Sequence, residues 1–156
     1  MIVSNPPYSL KWIGKESPIL INDDRYSPAG VLAPKSAADL AFTMHMLYHL
    51  KETGICAIVE FPGVLYRSGT EKQIREYLIK GNYIDTVIQL PPNLFFGVCI
   101  ATCIIVLSKG KKPDGNVLVI DAANEFVKNG KKNLLEQQNI DTIVNAFIDR
   151  KDEQYF

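Results

Sequence analysis

Asn5, Pro6, Pro7 and Tyr8 stand almost at the start of the chain, after an apolar Met1–Val3 and one serine. Proline has no backbone N–H and a fixed φ, so Pro6 and Pro7 end whatever strand precedes them and stiffen the corner. An amide and a phenol then flank a rigid, carbonyl-bearing turn. Its acceptors point in set directions before any ligand arrives, which is electrostatic preorganisation. Two further apolar runs, 55–60 and 83–90, also lead into proline-bearing loops, "FPGVLYRSG" and "PPNLFFG". If these strands are parallel, their loops share one rim outside the carboxyl ends of the strands, where open α/β sheets bind ligands. That rim would carry Asn5, Tyr8, Phe61, Tyr66, Arg67, Asn93, Phe95 and Phe96. Aromatic faces with a few amide groups form a slot for a flat, hydrogen-bonding ring, and a nucleobase is such a ring. Lys35, Arg67 and Lys72 flank the rim as phosphate candidates. The plainer reading of the third loop is a turn with Phe95 or Phe96 plugging the core.

The elements that must position these residues follow from pattern. Residues 1–4 read as a short strand, and 9–34 as a long loop rich in Ser, Pro, Gly and Asp. Residues 36–54 read as a helix, with Ser36 as N-cap, Asp39 three residues on, and Leu40, Met44 and Leu47 on one face. The run 55–61 suits a strand covered on both faces. Residues 70–81 read as a second helix, with Thr70 and Gln73 as a capping box and Gly81 as the stop. Strands follow at 83–90, 99–109 and 116–122, and an amphipathic helix runs from about Leu135 to Arg150. The order is α/β. The strands 83–90 and 99–109 have no helix between them, so they should pair antiparallel in an otherwise parallel sheet, with helices on both faces. Residues 1–122 form the sheet domain and 123–156 a loop and helix packed on it.

The chain of 156 residues is 47% apolar, and its 17 Lys and Arg balance 17 Asp and Glu. A neutral chain is a poor stand-alone nucleic-acid binder, because that affinity is mostly phosphate neutralisation. Partners would have to supply most of the positive surface. Cys56, Cys99 and Cys103 form no CxxC pair, and the last two lie in an apolar run, as reduced core thiols do. This suits a cytoplasmic protein. No run is long enough to span a membrane. His45 and His49 are four apart, but Met46 breaks the HExxH pattern, so they read as helix-packing residues and no metal is expected. The basic runs 109–115 and 128–132 read as solvated turns.

Asn-Pro-Pro-Tyr resembles the catalytic motif of S-adenosylmethionine-dependent methyltransferases that modify planar exocyclic nitrogens. "GVLAPKSAADLAF", "AIVEFPGVLYRSGTEKQIREYLI", "VIQLPPNLFFGVCIATCIIVLSKGKK" and "VLVIDAANEFVKNGKKN" are similar to the modification subunit of type I restriction–modification systems. The resemblance covers nearly the whole chain, and "QLPPNLFFG…IATCI" is its most specific stretch. It implies a class I, Rossmann-like methyltransferase sheet and N6-adenine methylation of DNA with S-adenosyl-L-methionine. The complex would include separate specificity and restriction subunits. Carried over by position, Asn5, Pro6, Pro7 and Tyr8 are catalytic. Phe95 or Phe96 contacts a flipped base, with Asn93, Arg67 and Lys35 beside the substrate. Asp39 and Phe42 match a helix-start motif near the cofactor.

The family's glycine-rich cofactor loop is not found before residue 5. The expectation is therefore the C-terminal half of a methyltransferase sheet, inactive in isolation, with an open edge at residues 1–4 that invites pairing with a second copy. Two rival readings remain. One is a methyltransferase acting on protein glutamine or RNA, which poses the same planar-nitrogen problem. The other is a non-catalytic module that docks onto a specificity subunit.

Overall fold

A computed structural model describes residues 1–14, 17–111 and 115–151. Strand β1 (Ile2–Ser4) is followed by the long loop and helix α1 (Asp39–His49), then β2 (Ile55–Glu60) and helix α2 (Thr70–Lys80). Next come β3 (Ile84–Gln89), β4 (Cys103–Ser108), β5 (Leu118–Asp121), the short pair β6 (Val127–Asn129) and β7 (Lys132–Leu134), and helix α3 (Gln137–Asp149). Five strands form one sheet in the order β1-β2-β4-β3-β5, while β6 and β7 form a separate antiparallel hairpin. In the sheet β1 is parallel to β2 and β5 to β3, and β4 runs against both β2 and β3. The expected mixed sheet is present, so β1, β2 and β3 all point the same way and their following loops share one edge.

Two apolar clusters hold this sheet. The larger joins α1 (Leu40, Met44, Leu47) and α2 (Ile74, Leu78) to Cys56, Ile58, Cys103, Ile105 and Leu107. The smaller joins Ile143 and Phe147 of α3 to Ile88, Ile104 and Ile120. Adjacent residues Ile104 and Ile105 fall in different clusters, as do Val87 and Ile88, so the clusters lie on opposite faces. Helices therefore cover both faces.

Several local expectations are corrected. Strand β2 is not an evenly covered strand. Cys56, Ile58 and Glu60 are buried while Ile55 is exposed, so one face goes to the core and it ends on a buried carboxyl group. Helix α1 has Ala38 at its N-cap with no side-chain cap; Ser36 lies outside, and Asp39 is bonded to the loop instead. Helix α2 starts from Gly69, which adopts φ 73°, and not from a Thr70 cap. The side-chain capping box appears at α3, between Glu136 and Asn139. Strand β4 begins at Cys103 and not at residue 99, because Leu90 N–H bonds Thr102 C=O at 2.9 Å and closes the loop just before the ladder. Cys99 is consequently exposed, whereas Cys103 is buried. Residues 128–132 lie in the hairpin rather than in a bare turn. Lys112–Asp114 of the other basic run, and residues 152–156, lie outside the described residues. No helix among the described residues is long and apolar enough to cross a membrane.

Candidate functional site

The diproline corner sits at the carboxyl end of β1, with Pro6 buried and Asn5 exposed. Tyr8 folds back, and its hydroxyl donates to Asn5 Oδ1 at 2.7 Å. An amide oxygen has two acceptor positions. Tyr8 takes one and leaves the second, and it fixes which end of the carboxamide is the oxygen. Ser9 turns the chain with φ 51°, and its N–H donates to Asp39 Oδ1 at 3.0 Å. Beyond it, Ala38 N–H donates to Leu10 C=O at 2.9 Å and Trp12 Nε1 to Pro34 C=O at 2.9 Å. The loop is thus stitched to the start of α1.

Beneath Tyr8 lies the end of β2. Glu60 is fully buried, pairs in register with Cys103, and its Oε1 accepts from Thr43 Oγ1 at 2.7 Å. Burial pushes its carboxyl up to about 8; the Thr43 bond opposes this, and the neighbouring Asp39 and Glu71 carboxylates add to it. Burial also raises Tyr8, helped by the charge of Glu60 and opposed by the Asn5 bond. Cys103 is pushed up to about 12 by burial and then by Glu60, which makes it an inert core thiol. Glu60 Oε2, Asp39 Oδ2 and Thr102 Oγ1 are buried without a hydrogen-bond partner, at the same end of the sheet.

The third loop leaves β3 through Pro91 and Pro92. Asn93 takes φ 57° and Gly97 φ 73°, the left-handed values that Asn and Gly tolerate best. Phe95 packs against the smaller core cluster, so the plug reading applies to it, while Phe96 is 96% exposed. Strands β1 and β3 are separated by β2 and β4, so Tyr8 and the Phe95–Phe96 loop bracket a gap of roughly 14 Å at the usual strand spacing. The end of β2 and the start of β4 lie between them in the sheet, with Glu60 and Thr102 fully buried. Arg67 lies at 3.5 Å from Glu71 and over the Phe61 ring at 5.1 Å. Gly63 is what allows this, since a Cβ there would meet Phe61 at 2.6 Å and Arg67 at 2.7 Å. Tyr66 is exposed, and so is Lys35.

Asp39 is 1% exposed and Phe42 packs on the larger cluster. Phe42 keeps part of its ring accessible, and Asp39 holds the start of α1 against the loop that carries Asn5. His45 stacks on Tyr26 with centroids 5.6 Å apart, and His49 meets it edge-on at 4.6 Å, an aromatic packing arrangement. Pattern reading missed Glu60, Thr43 and the hairpin residues Lys132 and Asn133. For Glu60 a signal existed, as a lone charge closing the apolar run Ile55–Val59.

A family model described as "N-6 DNA Methylase" matches residues 1–156. The chain is 49% identical to the type I restriction enzyme MpnII methylase subunit of Mycoplasma pneumoniae, over 100% of this chain and 29% of that protein. It is 32% identical to the MjaVII methylase subunit of Methanocaldococcus jannaschii, over 99% of this chain and 28% of the relative. Among solved structures it is similar to the type I restriction–modification methyltransferase subunit from Streptococcus thermophilus, with TM-score 0.92 and 44% identity over 97% of this chain and 32% of that one. The chain therefore spans about three tenths of the length of these relatives. A match along every residue, joined to a diproline corner and an aromatic loop on one sheet edge, means that the chain belongs to the N-6 DNA methylase family.

Proposed function

We propose that this chain carries the amine-gripping and base-facing loops of a DNA adenine-N6 methyltransferase of type I restriction–modification systems. The reading rests above all on Tyr8 bonded to Asn5 Oδ1 at the end of β1. An adenine amine shares its lone pair with the ring and is a weak nucleophile. Asn5 Oδ1, through its second acceptor position, and the Pro6 carbonyl would each accept one amine hydrogen and draw the nitrogen toward tetrahedral geometry. Tyr8 would stack on a base extruded from the duplex, and Phe96 would contact it from the facing loop. Positioning of this kind supplies much of a rate without a covalent intermediate. S-adenosyl-L-methionine supplies the methyl group when bound. Asp39 ties the Asn5 loop to α1, Asp39 and Phe42 stand at the helix start that would face the cofactor, and we assign this chain, taken alone, no methylation activity.

On this reading residues 1–122 are half of a class I methyltransferase sheet, 123–156 pack upon it, and the whole works in the cytoplasm. DNA is the substrate, a specificity subunit and a restriction subunit are partners, and the exposed Val3 edge of β1 is open to a second copy. Two titrations test the reading. A single-stranded oligonucleotide carrying 2-aminopurine should lose fluorescence on binding the chain, adenine but not guanine oligonucleotides should compete, and Tyr8→Ala should abolish the effect. Calorimetry with S-adenosylmethionine should give no binding heat. Equal competition by guanine, or no quenching at all, would overturn the assignment of the slot. Tight S-adenosylmethionine binding would overturn the inactivity.

A further inference from the structure

We infer that the β6–β7 hairpin is the clamp that sets the Phe95–Phe96 loop, with Asn133 and Lys132 as positioning residues for base stacking. This rests on the slot reading above. The loop leaves β3 through two prolines, which supply no N–H, and its carbonyls need donors from elsewhere. Three of them find donors on one hairpin. Asn133 Nδ2 donates to Pro92 C=O at 2.8 Å, Asn133 N–H to Asn93 C=O at 3.1 Å, and Lys132 Nζ to Phe95 C=O at 2.7 Å.

The clamp is itself held. Asn133 is 4% exposed, and Lys128 Nζ donates to its Oδ1 at 2.8 Å, which leaves the Nδ2 end for Pro92. Lys128 in turn lies 5.0 Å from the centre of the Phe126 ring. The ammonium–carbonyl and buried amide bonds are of the stronger kind. They hold the carbonyls of Pro92, Asn93 and Phe95, so Phe95 is kept against the smaller cluster while Phe96 is left standing in solvent. An exposed phenyl ring pays little to be ordered only if its backbone is already ordered. The hairpin supplies that order, and the 128–132 run thus has a structural task beyond carrying charge.

The test uses the same chain and the 2-aminopurine oligonucleotide, with quenching at saturation read separately from the dissociation constant. Asn133→Ala and Lys132→Met should bind about tenfold more weakly and lose part of the quenching at saturation. Lys132→Arg should restore both. Lys131→Met, which removes an equal charge from the exposed hairpin tip, should leave quenching at saturation unchanged. If Asn133→Ala does not fold, Lys132→Met carries the test, because the side chain of Lys132 is not part of the β6–β7 ladder. Wild-type quenching in both Lys132→Met and Asn133→Ala would overturn the clamp alone. Absence of quenching in the wild-type chain would overturn the slot reading, and the clamp's role with it.

Discussion

Glu60→Gln removes a buried ionisable group while keeping its shape, and the structure sets the size of the effect. The glutamine carbonyl can still accept from Thr43 Oγ1, now at 2.7 Å. What disappears is ionisation. The folded protein holds a proton on Glu60 up to about 8, while the unfolded chain releases it near 4.5. Between those values the native state binds more protons than the unfolded state, so stability falls as pH rises. The contribution is fully present below about 4.5, shrinks steadily, and is exhausted above about 8. The variant's amide NH2 meets no acceptor where Oε2 has none, a pH-independent cost of about 1–3 kcal/mol. At about 1.4 kcal/mol per pH unit, the balance between the two proteins should nevertheless move toward the variant by about 3 kcal/mol from pH 5 to pH 7 and by about 4 kcal/mol from pH 5 to pH 9. Urea unfolding of both proteins across this range measures the difference directly, and the subtraction cancels the titrating groups that are not coupled to Glu60. A difference that does not grow with pH, or a glutamine variant weaker at pH 9, would refute the claim that Glu60 is buried neutral beneath Tyr8.

Two further outcomes test the same corner. Asp39→Ala deprives the Ser9 N–H of its acceptor and takes a negative charge away from Glu60. Unfolding should show a loss of about 1–2 kcal/mol, and the Glu60 transition should move to lower pH; an unmoved transition would mean that Asp39 does not act on Glu60. Arg67→Met leaves the buried Glu71 without its cation at 3.5 Å. Since Arg67 is itself partly solvated, the cost should be about 1–2 kcal/mol while Glu71 is ionised and should shrink as pH falls and Glu71, already raised by burial, takes up a proton. A loss of equal size at every pH would point to the Phe61 stacking, and not the ion pair, as the role of Arg67.

The strand and helix order was legible because burial imposes periodicity: Ile55–Val59 is apolar, and Ile84, Val87 and Ile88 recur through β3, because both strands cross the core. The antiparallel β4 followed from the missing crossover helix. The shared edge of three proline-bearing loops followed from the direction of β1, β2 and β3. Caps were less legible. Asp39 has the right type for a capping box, yet its carboxylate bonds Ser9, 30 positions away in sequence. A side chain with two possible partners does not announce its choice in local spacing. The hairpin was hidden for a related reason. Its strands are three residues each and mostly polar, so neither period nor composition separates them from a solvated turn.

The residues whose partners escaped pattern reading share a property. Asp39, Thr43, Glu60 and Asn133 are polar and buried, and each bonds a segment distant in sequence. Apolar packing is tolerant of small shifts, because its energy is spread over many weak contacts. A hydrogen bond from a buried donor is not tolerant, since breaking it leaves an unsatisfied group. Hydrophobic periodicity therefore explains how the sheet forms, and these few polar bonds explain how its loops are aimed. Asp39 ties down the corner that carries Asn5, and Asn133 ties down the loop that carries Phe96. The sheet spaces the two loops, and the buried polar bonds hold their orientation. The proposed slot for a flat ring would need both, because stacking and amine capture would each fail if the opposing loop were free to turn.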